Sequence, residues 1–158
     1  MSRGSLPTQA CERRTLLDAQ DLQRTVARLC SQVLESAGDS KRLLLLGIPT
    51  RGAALARVLA SELEQELGYA VDQGVLDPTF HRDDLERVGT RLSEPTALPV
   101  PVEGREVVLV DDVVFTGRTV RAALEALHTW GRPACVKLLA MVDRCLLYTS
   151  PSPRDNPA

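Results

Sequence analysis

Apolar and polar positions fall along this chain in blocks whose spacing switches between helical and strand-like. From Asp18 onward, Leu22, Val26, Leu29, Cys30, Val33 and Leu34 recur at intervals that line one helix face, and Gly38 ends the run. Leu43, Leu44, Leu45 and Leu46 form an uninterrupted apolar stretch closed by Gly47, as expected of a strand covered on both faces. After the turn Gly47-Ile48-Pro49-Thr50-Arg51-Gly52, a second helix carries Leu55, Val58, Leu59, Leu63 and Leu67, with Gly68 at its stop. Val71 to Phe80 reads as one or two short strands broken near Gly74 and Pro78. His81 to Val102 is polar and charged, with Pro95, Pro99 and Pro101, and is expected to be a long mobile loop. Val107 to Val110 is the next buried strand and ends in Asp111-Asp112. Val120, Ala123, Leu124 and Leu127 line a third helix stopped by Gly131 and Pro133, and Val136 to Val142 is the last strand. Strands alternating with helices predict an α/β fold, a mostly parallel sheet flanked by helices on both faces.

Composition narrows the function classes. The 158 residues suit one domain, with residues 1–14 expected to be a disordered N-terminal segment and residues 15–144 the folded unit. A formal net charge of −2 excludes a global basic field, so indiscriminate coating of nucleic acid is not expected, although a local basic face stays open. No apolar run is long enough to span a bilayer, and the polar stretch from Met1 to Glu12 has no signal-peptide core. Cys11, Cys30, Cys135 and Cys145 have neither metal-ligand spacing nor a dense disulfide pattern, so a soluble protein of a reducing cytoplasm is expected. The 17 arginines against 2 lysines favour forked recognition of phosphates or carboxylates over point charges.

Residues 145–158, beginning Cys145-Leu146-Leu147-Tyr148-Thr149-Ser150-Pro151-Ser152-Pro153-Arg154-Asp155, depart abruptly from this pattern. A disordered C-terminus is the plain reading. The string also resembles a sequencing-library adapter translated as coding sequence, which implies that the domain is C-terminally truncated and the tail non-native. Native coding sequence continuing past codon 144 in the DNA would overturn that expectation.

The chemistry concentrates in Val107-Val108-Leu109-Val110-Asp111-Asp112-Val113-Val114-Phe115-Thr116-Gly117-Arg118-Thr119. A buried strand brings two adjacent carboxylates to its carboxyl end, where ligands bind in open α/β sheets. A short loop then opens a helix, whose unpaired N–H groups favour an anion. Gly117 permits close backbone approach, and the hydroxyls of Thr116 and Thr119 can donate to phosphate oxygens. The acids suit the cis-diol of a ribose, with Mg²⁺ between sugar and phosphates easing the repulsion. The pattern therefore asks for a sugar phosphate, set against the plain alternative of a capped turn with two solvated aspartates. Thr50-Arg51-Gly52, at the end of the first strand, is either an ordinary helix start or a cradle for a second anion such as pyrophosphate.

Taken whole, the thirteen-residue string resembles the signature by which type I phosphoribosyltransferases bind phosphoribosyl pyrophosphate (PRPP). The resemblance implies that Asp111 and Asp112 hold the ribose hydroxyls, touching metal only indirectly through ribose and Mg-PRPP. It further implies that Val113, Val114, Phe115, Thr116, Gly117, Arg118 and Thr119 hold the 5-phosphate, and that Thr50, Arg51 and Gly52 hold the pyrophosphate. Asp77-Pro78-Thr79-Phe80-His81-Arg82-Asp83-Asp84-Leu85 is similar to a segment of the PyrR family, pyrimidine-operon attenuators that are also uracil phosphoribosyltransferases. His81 stands there where the family has an aromatic residue. Gly-Ile-x-Thr-Arg-Gly and Val142-Asp143-Arg144 fit as well, so the likeness runs from Thr15 to Arg144. It implies uracil plus PRPP giving UMP plus pyrophosphate, with Mg²⁺, Arg51, Asp111 and Asp112 acting on the displacement. Arg82 is expected to reach the diphosphate from a loop that closes over the site, and Arg144 to contact the nucleotide. His81 and His128 lack a second ligand at metal-binding spacing. Two further outcomes stay open: a phosphoribosyltransferase for another base, and an attenuator with little catalysis that binds leader RNA through Arg13, Arg14, Arg24 and Arg28, or through Arg118, Arg121 and Arg132. A homo-oligomer, and no membrane partner, are also expected.

Overall fold

A computed structural model describes residues 14–81 and 95–144. Helix α1 (Ala19–Ser36) starts at a reciprocal capping box: Asp18 accepts from the Asp21 N–H, and the Asp21 carboxylate accepts from the Asp18 N–H. Strand β1 (Leu43–Gly47) is buried along its whole length, as a two-sided apolar run requires. Helix α2 (Arg51–Leu67) ends at Gly68 in the left-handed conformation, which glycine adopts without a Cβ penalty. Then come β2 (Asp72–Val75), β3 (Glu106–Val114), α3 (Arg118–His128) and β4 (Cys135–Asp143), with short 3₁₀ turns at Ser40–Arg42 and Thr79–His81.

The four strands are all parallel, in the order β2-β1-β3-β4. From β1 the chain crosses through α2 to one side, and from β3 it crosses through α3 to the other. Right-handed crossovers running in opposite directions must put their helices on opposite faces of the sheet. The core divides accordingly. Leu43, Leu45, Val108, Val110 and Leu139 pack with α1 and α2, while Leu44, Leu46, Val107 and Leu109 pack with Ala123, Ala126 and Leu127 of α3. Helices therefore cover both faces, as the alternation of elements predicts. Cys30 is an ordinary member of the first cluster; burial, then Glu62 and Glu66, push its thiol up to about 11.

Three expectations need correction. Gly74 does not break a strand; it lies inside β2, where a Cβ would sit 2.4 Å from the Ala97 carbonyl oxygen. The stretch from His81 to Val102 is not loop throughout. Ala97 bridges Val75 in antiparallel fashion, Asp77 N–H donates to the Thr96 hydroxyl at 3.0 Å, and Val102 is fully buried. Finally, β3 does not stop before its acids but runs through them to Val114, because β4 keeps pairing with it as far as Val114 and Asp143.

Candidate active site

The chain leaves β1 in one direction and returns to β3 on the other side of it, so the β1–β3 boundary is the sheet's topological switch point. Side chains and ligands gather outside the carboxyl ends of the strands at such a point. The two predicted anion motifs meet there. Ile48 N–H donates to the Val110 carbonyl at 2.9 Å, carrying the β1 pairing into the turn. Gly52 follows so closely that an added Cβ would lie 2.3 Å from the Val110 oxygen and 3.1 Å from the Asp111 Cα. Only a residue without a side chain allows this approach. It brings Arg51 beside the acid pair, with its guanidinium 3.6 Å from the Asp112 carboxylate.

The acids differ in setting. Asp111 is buried and receives the Asp112 N–H at 2.9 Å, whereas Asp112 is part-exposed and receives the Val113 N–H at 2.9 Å. Each accepted N–H holds its carboxylate in place. Arg51 is exposed, its side chain 84% accessible, so its charge stays open to a ligand.

Both helices that face the site begin without a side-chain capping bond: α2 at Thr50 and α3 at Gly117. Apart from the Arg118 N–H, which reaches the Thr116 hydroxyl oxygen, backbone N–H groups at such helix starts can donate to an anion. Gly117 takes φ 76, a left-handed conformation, and Arg118 N–H approaches the Thr116 hydroxyl oxygen at 3.4 Å. The loop residues Val113, Phe115 and Thr116 are exposed. Beyond them, the Arg144 N–H donates to the Val114 carbonyl at 2.7 Å, and its guanidinium lies 5.1 Å from the centre of the Phe115 ring.

Thr50, Arg51, Gly52, Asp111, Asp112 and the loop to Thr119 are thus assembled at one end of the sheet, while Arg82 lies outside the described residues. Sequence reasoning missed the setting of His81. With Thr116, Gly117, Arg118, Arg121, Ala122 and Glu125 it lines a cleft of about 440 Å³ beside the loop. The signal was the helical spacing of 118, 121, 122 and 125, which gives α3 one continuous face toward that cleft.

An acid pair on β3 thus runs into the Thr116-Gly117 loop, with the Arg51 turn beside it at the end of β1. A family model of the phosphoribosyl transferase domain matches residues 12–148. Solved structures agree on the fold: a hypoxanthine-guanine phosphoribosyltransferase from Leishmania tarentolae, in complex with GMP, superposes with a TM-score of 0.60 at 19% identity, over 82% of this chain and 70% of that one. Among curated relatives, the bifunctional protein PyrR of Thermosynechococcus vestitus is 53% identical over 130 residues, which is 82% of this chain and 71% of that protein. The bifunctional protein PyrR of Gloeothece citriformis is 48% identical over 139 residues, 88% of this chain and 77% of that protein. The chain belongs to the PyrR family of phosphoribosyltransferases.

Proposed function

We propose that this site binds PRPP and transfers its phosphoribosyl group to uracil, giving UMP and pyrophosphate. The supporting observation is the meeting of Arg51 with Asp112, beside Asp111 and between two helix starts that lack side-chain caps. A diphosphate and a 5-phosphate at opposite ends of one ribose match that spacing of cationic, acidic and anion-accepting groups. In the reaction, the bond from C1 of the ribose to the diphosphate oxygen breaks and a bond from uracil N1 to C1 forms. The N1 proton passes to solvent. Arg51 and the start of α2 stabilise the charge that develops on the departing diphosphate. Asp111 and Asp112 hold the ribose hydroxyls and face a ring that becomes electron-poor, which their negative charge favours.

Among the described residues no group of three or more His, Cys, Asp or Glu side chains could hold a metal ion. The donor set, two adjacent carboxylates beside an arginine, fits a Mg²⁺ coordinated mainly by the substrate. When bound with PRPP, that ion neutralises diphosphate charge. Asp111 and Asp112 would meet it through the ribose.

The term bifunctional in the relatives' name supports a second role, uridine-nucleotide-responsive binding to the leader RNA of pyrimidine genes. Arg24 and Arg28, both exposed, line a shallow depression on α1 with Leu17, Asp21 and Thr25. Guanidinium groups on such a face suit phosphates and splayed bases. The test of catalysis is uracil-dependent release of pyrophosphate from Mg-PRPP; PRPP binding with no turnover of uracil would refute the base assignment. The test of regulation is a salt-sensitive affinity for leader RNA that changes with UMP. No such affinity would leave the salvage reaction alone.

A further inference from the structure

We propose that Arg144 is a positioning residue for the sugar-phosphate loop, acting through the ring of Phe115. The inference rests on reading that loop as the 5-phosphate site. The β3–β4 ladder ends at the pair Val114 and Asp143, and the Arg144 N–H then adds one further bond to the Val114 carbonyl at 2.7 Å. One residue later, Phe115 leaves the sheet and is 43% exposed as a residue, in a loop otherwise suited to an anion. The loop's pivot is Gly117 at φ 76, and its internal bond from Arg118 N–H to the Thr116 hydroxyl is long, at 3.4 Å. A guanidinium 5.1 Å from the ring centre supplies an external brace from the end of the neighbouring strand. It also sets a positive charge beside the place where the phosphate binds. Arg144 therefore acts on the ligand by holding the ring and, through it, the backbone from Val114 to Gly117.

The experiment is a double-mutant cycle on the chain as it stands, read as Mg-PRPP affinity by calorimetry. Arg144→Gln and Phe115→Leu are each expected to weaken binding by about fivefold, the size of a partly exposed cation–π contact. The double variant is expected to be no weaker than either single one. Phe115→Tyr, which keeps an aromatic face, is expected to lose less affinity than Phe115→Leu, and Arg144→Lys less than Arg144→Gln. Losses that simply multiply in the double variant, or an unchanged affinity in Arg144→Gln, would overturn the proposal. A second measurement needs no ligand: amide hydrogen exchange at residues 115–118 is expected to speed up in Arg144→Gln, with no change across α1 and α2. Equal exchange in parent and variant also overturns the proposal. A parent that binds no PRPP while its exchange responds to Arg144→Gln would instead refute the reading of the loop as a phosphate site.

Discussion

At the amino end of the sheet, Glu106 accepts the N–H groups of Gly38 and Asp39 at 3.0–3.1 Å and lies 3.4 Å from the Lys137 ammonium, while Arg105 pairs with Asp72 at 2.6 Å. Lys137 also donates to the Ser36 carbonyl, so this cluster ties the end of α1 to β3 and β4. At the carboxyl end, Arg51 stands 3.6 Å from Asp112 with most of its surface in solvent. The helix starts also differ: α1 satisfies its first N–H groups with Asp18 and Asp21, whereas α2 and α3, which begin at the carboxyl end of the sheet, have no side-chain cap at Thr50 and Gly117. The amino end of the sheet commits its polar groups to the fold, while under the proposed function those at the carboxyl end serve a ligand. Stability and binding should therefore respond to different substitutions.

The largest effect should come from replacing Asp111 and Asp112 together with Asn. Hydrogen bonds to charged groups contribute roughly 1.5–3 kcal/mol each, so losing both charges should weaken Mg-PRPP binding by about 100-fold or more. The amide keeps the shape of each carboxylate, and circular dichroism should show an intact fold. Unchanged PRPP affinity would remove the acids from the ribose site. Next in size is Gly52→Ala, which forces a methyl group to within 2.3 Å of the Val110 carbonyl oxygen, where only backbone movement gives relief. Overpacking of this kind costs roughly 1–3 kcal/mol. Urea denaturation should register that loss, and PRPP affinity should fall with it because β1 and β3 must part at the site. Parental stability in this variant would mean that the close approach is not a constraint.

Arg51→Ala sharpens the contrast further. An exposed ion pair at this distance contributes little to stability, about 0–1 kcal/mol. Its loss should leave the unfolding midpoint nearly unchanged while inhibition by pyrophosphate weakens by about tenfold, as for one charge-assisted contact. A fall in stability with undiminished pyrophosphate inhibition would place Arg51 with the structural pairs instead.

How much of this was legible in sequence follows from the range of each signal. The helices and strands announced themselves because apolar periodicity is local; the leucine run at 43–46 could scarcely be anything but a buried strand. The acid pair and the Thr-Gly loop were readable because their spacing is itself the chemistry. What sequence could not supply was pairing. β3 reaches Val114 only because β4 lies beside it, and Gly74 fits a strand only because Ala97 returns from more than 20 residues away to meet it. The Phe115–Arg144 contact was hidden for the same reason, since the two residues are neighbours only through strand register. Glu106 drew no notice at all. It looks like a polar residue before an apolar run, and its role depends on Gly38 and Asp39, almost 70 residues earlier.

That overlooked glutamate yields the smallest expected effect, and the one that most cleanly isolates the amino end of the sheet. Chiefly the Gly38 and then the Asp39 N–H hold the Glu106 carboxyl below its ordinary value of 4.5, with Lys137 adding to them against the opposing effect of burial. A carboxyl depressed in the folded state contributes stability that is fully present above its unfolded value. That contribution is lost as pH falls from about 4.5 through the lower folded value. Glu106→Gln should therefore lower the unfolding midpoint at neutral pH, and it should flatten the fall in stability between neutral pH and the acid range. Both changes are measurable by denaturation at several pH values. Mg-PRPP affinity at neutral pH should stay at the parental level, because Glu106 and the site lie at opposite ends of β3. A Glu106→Gln variant that folds as stably as the parent but binds PRPP poorly would break the division of labour between the two ends.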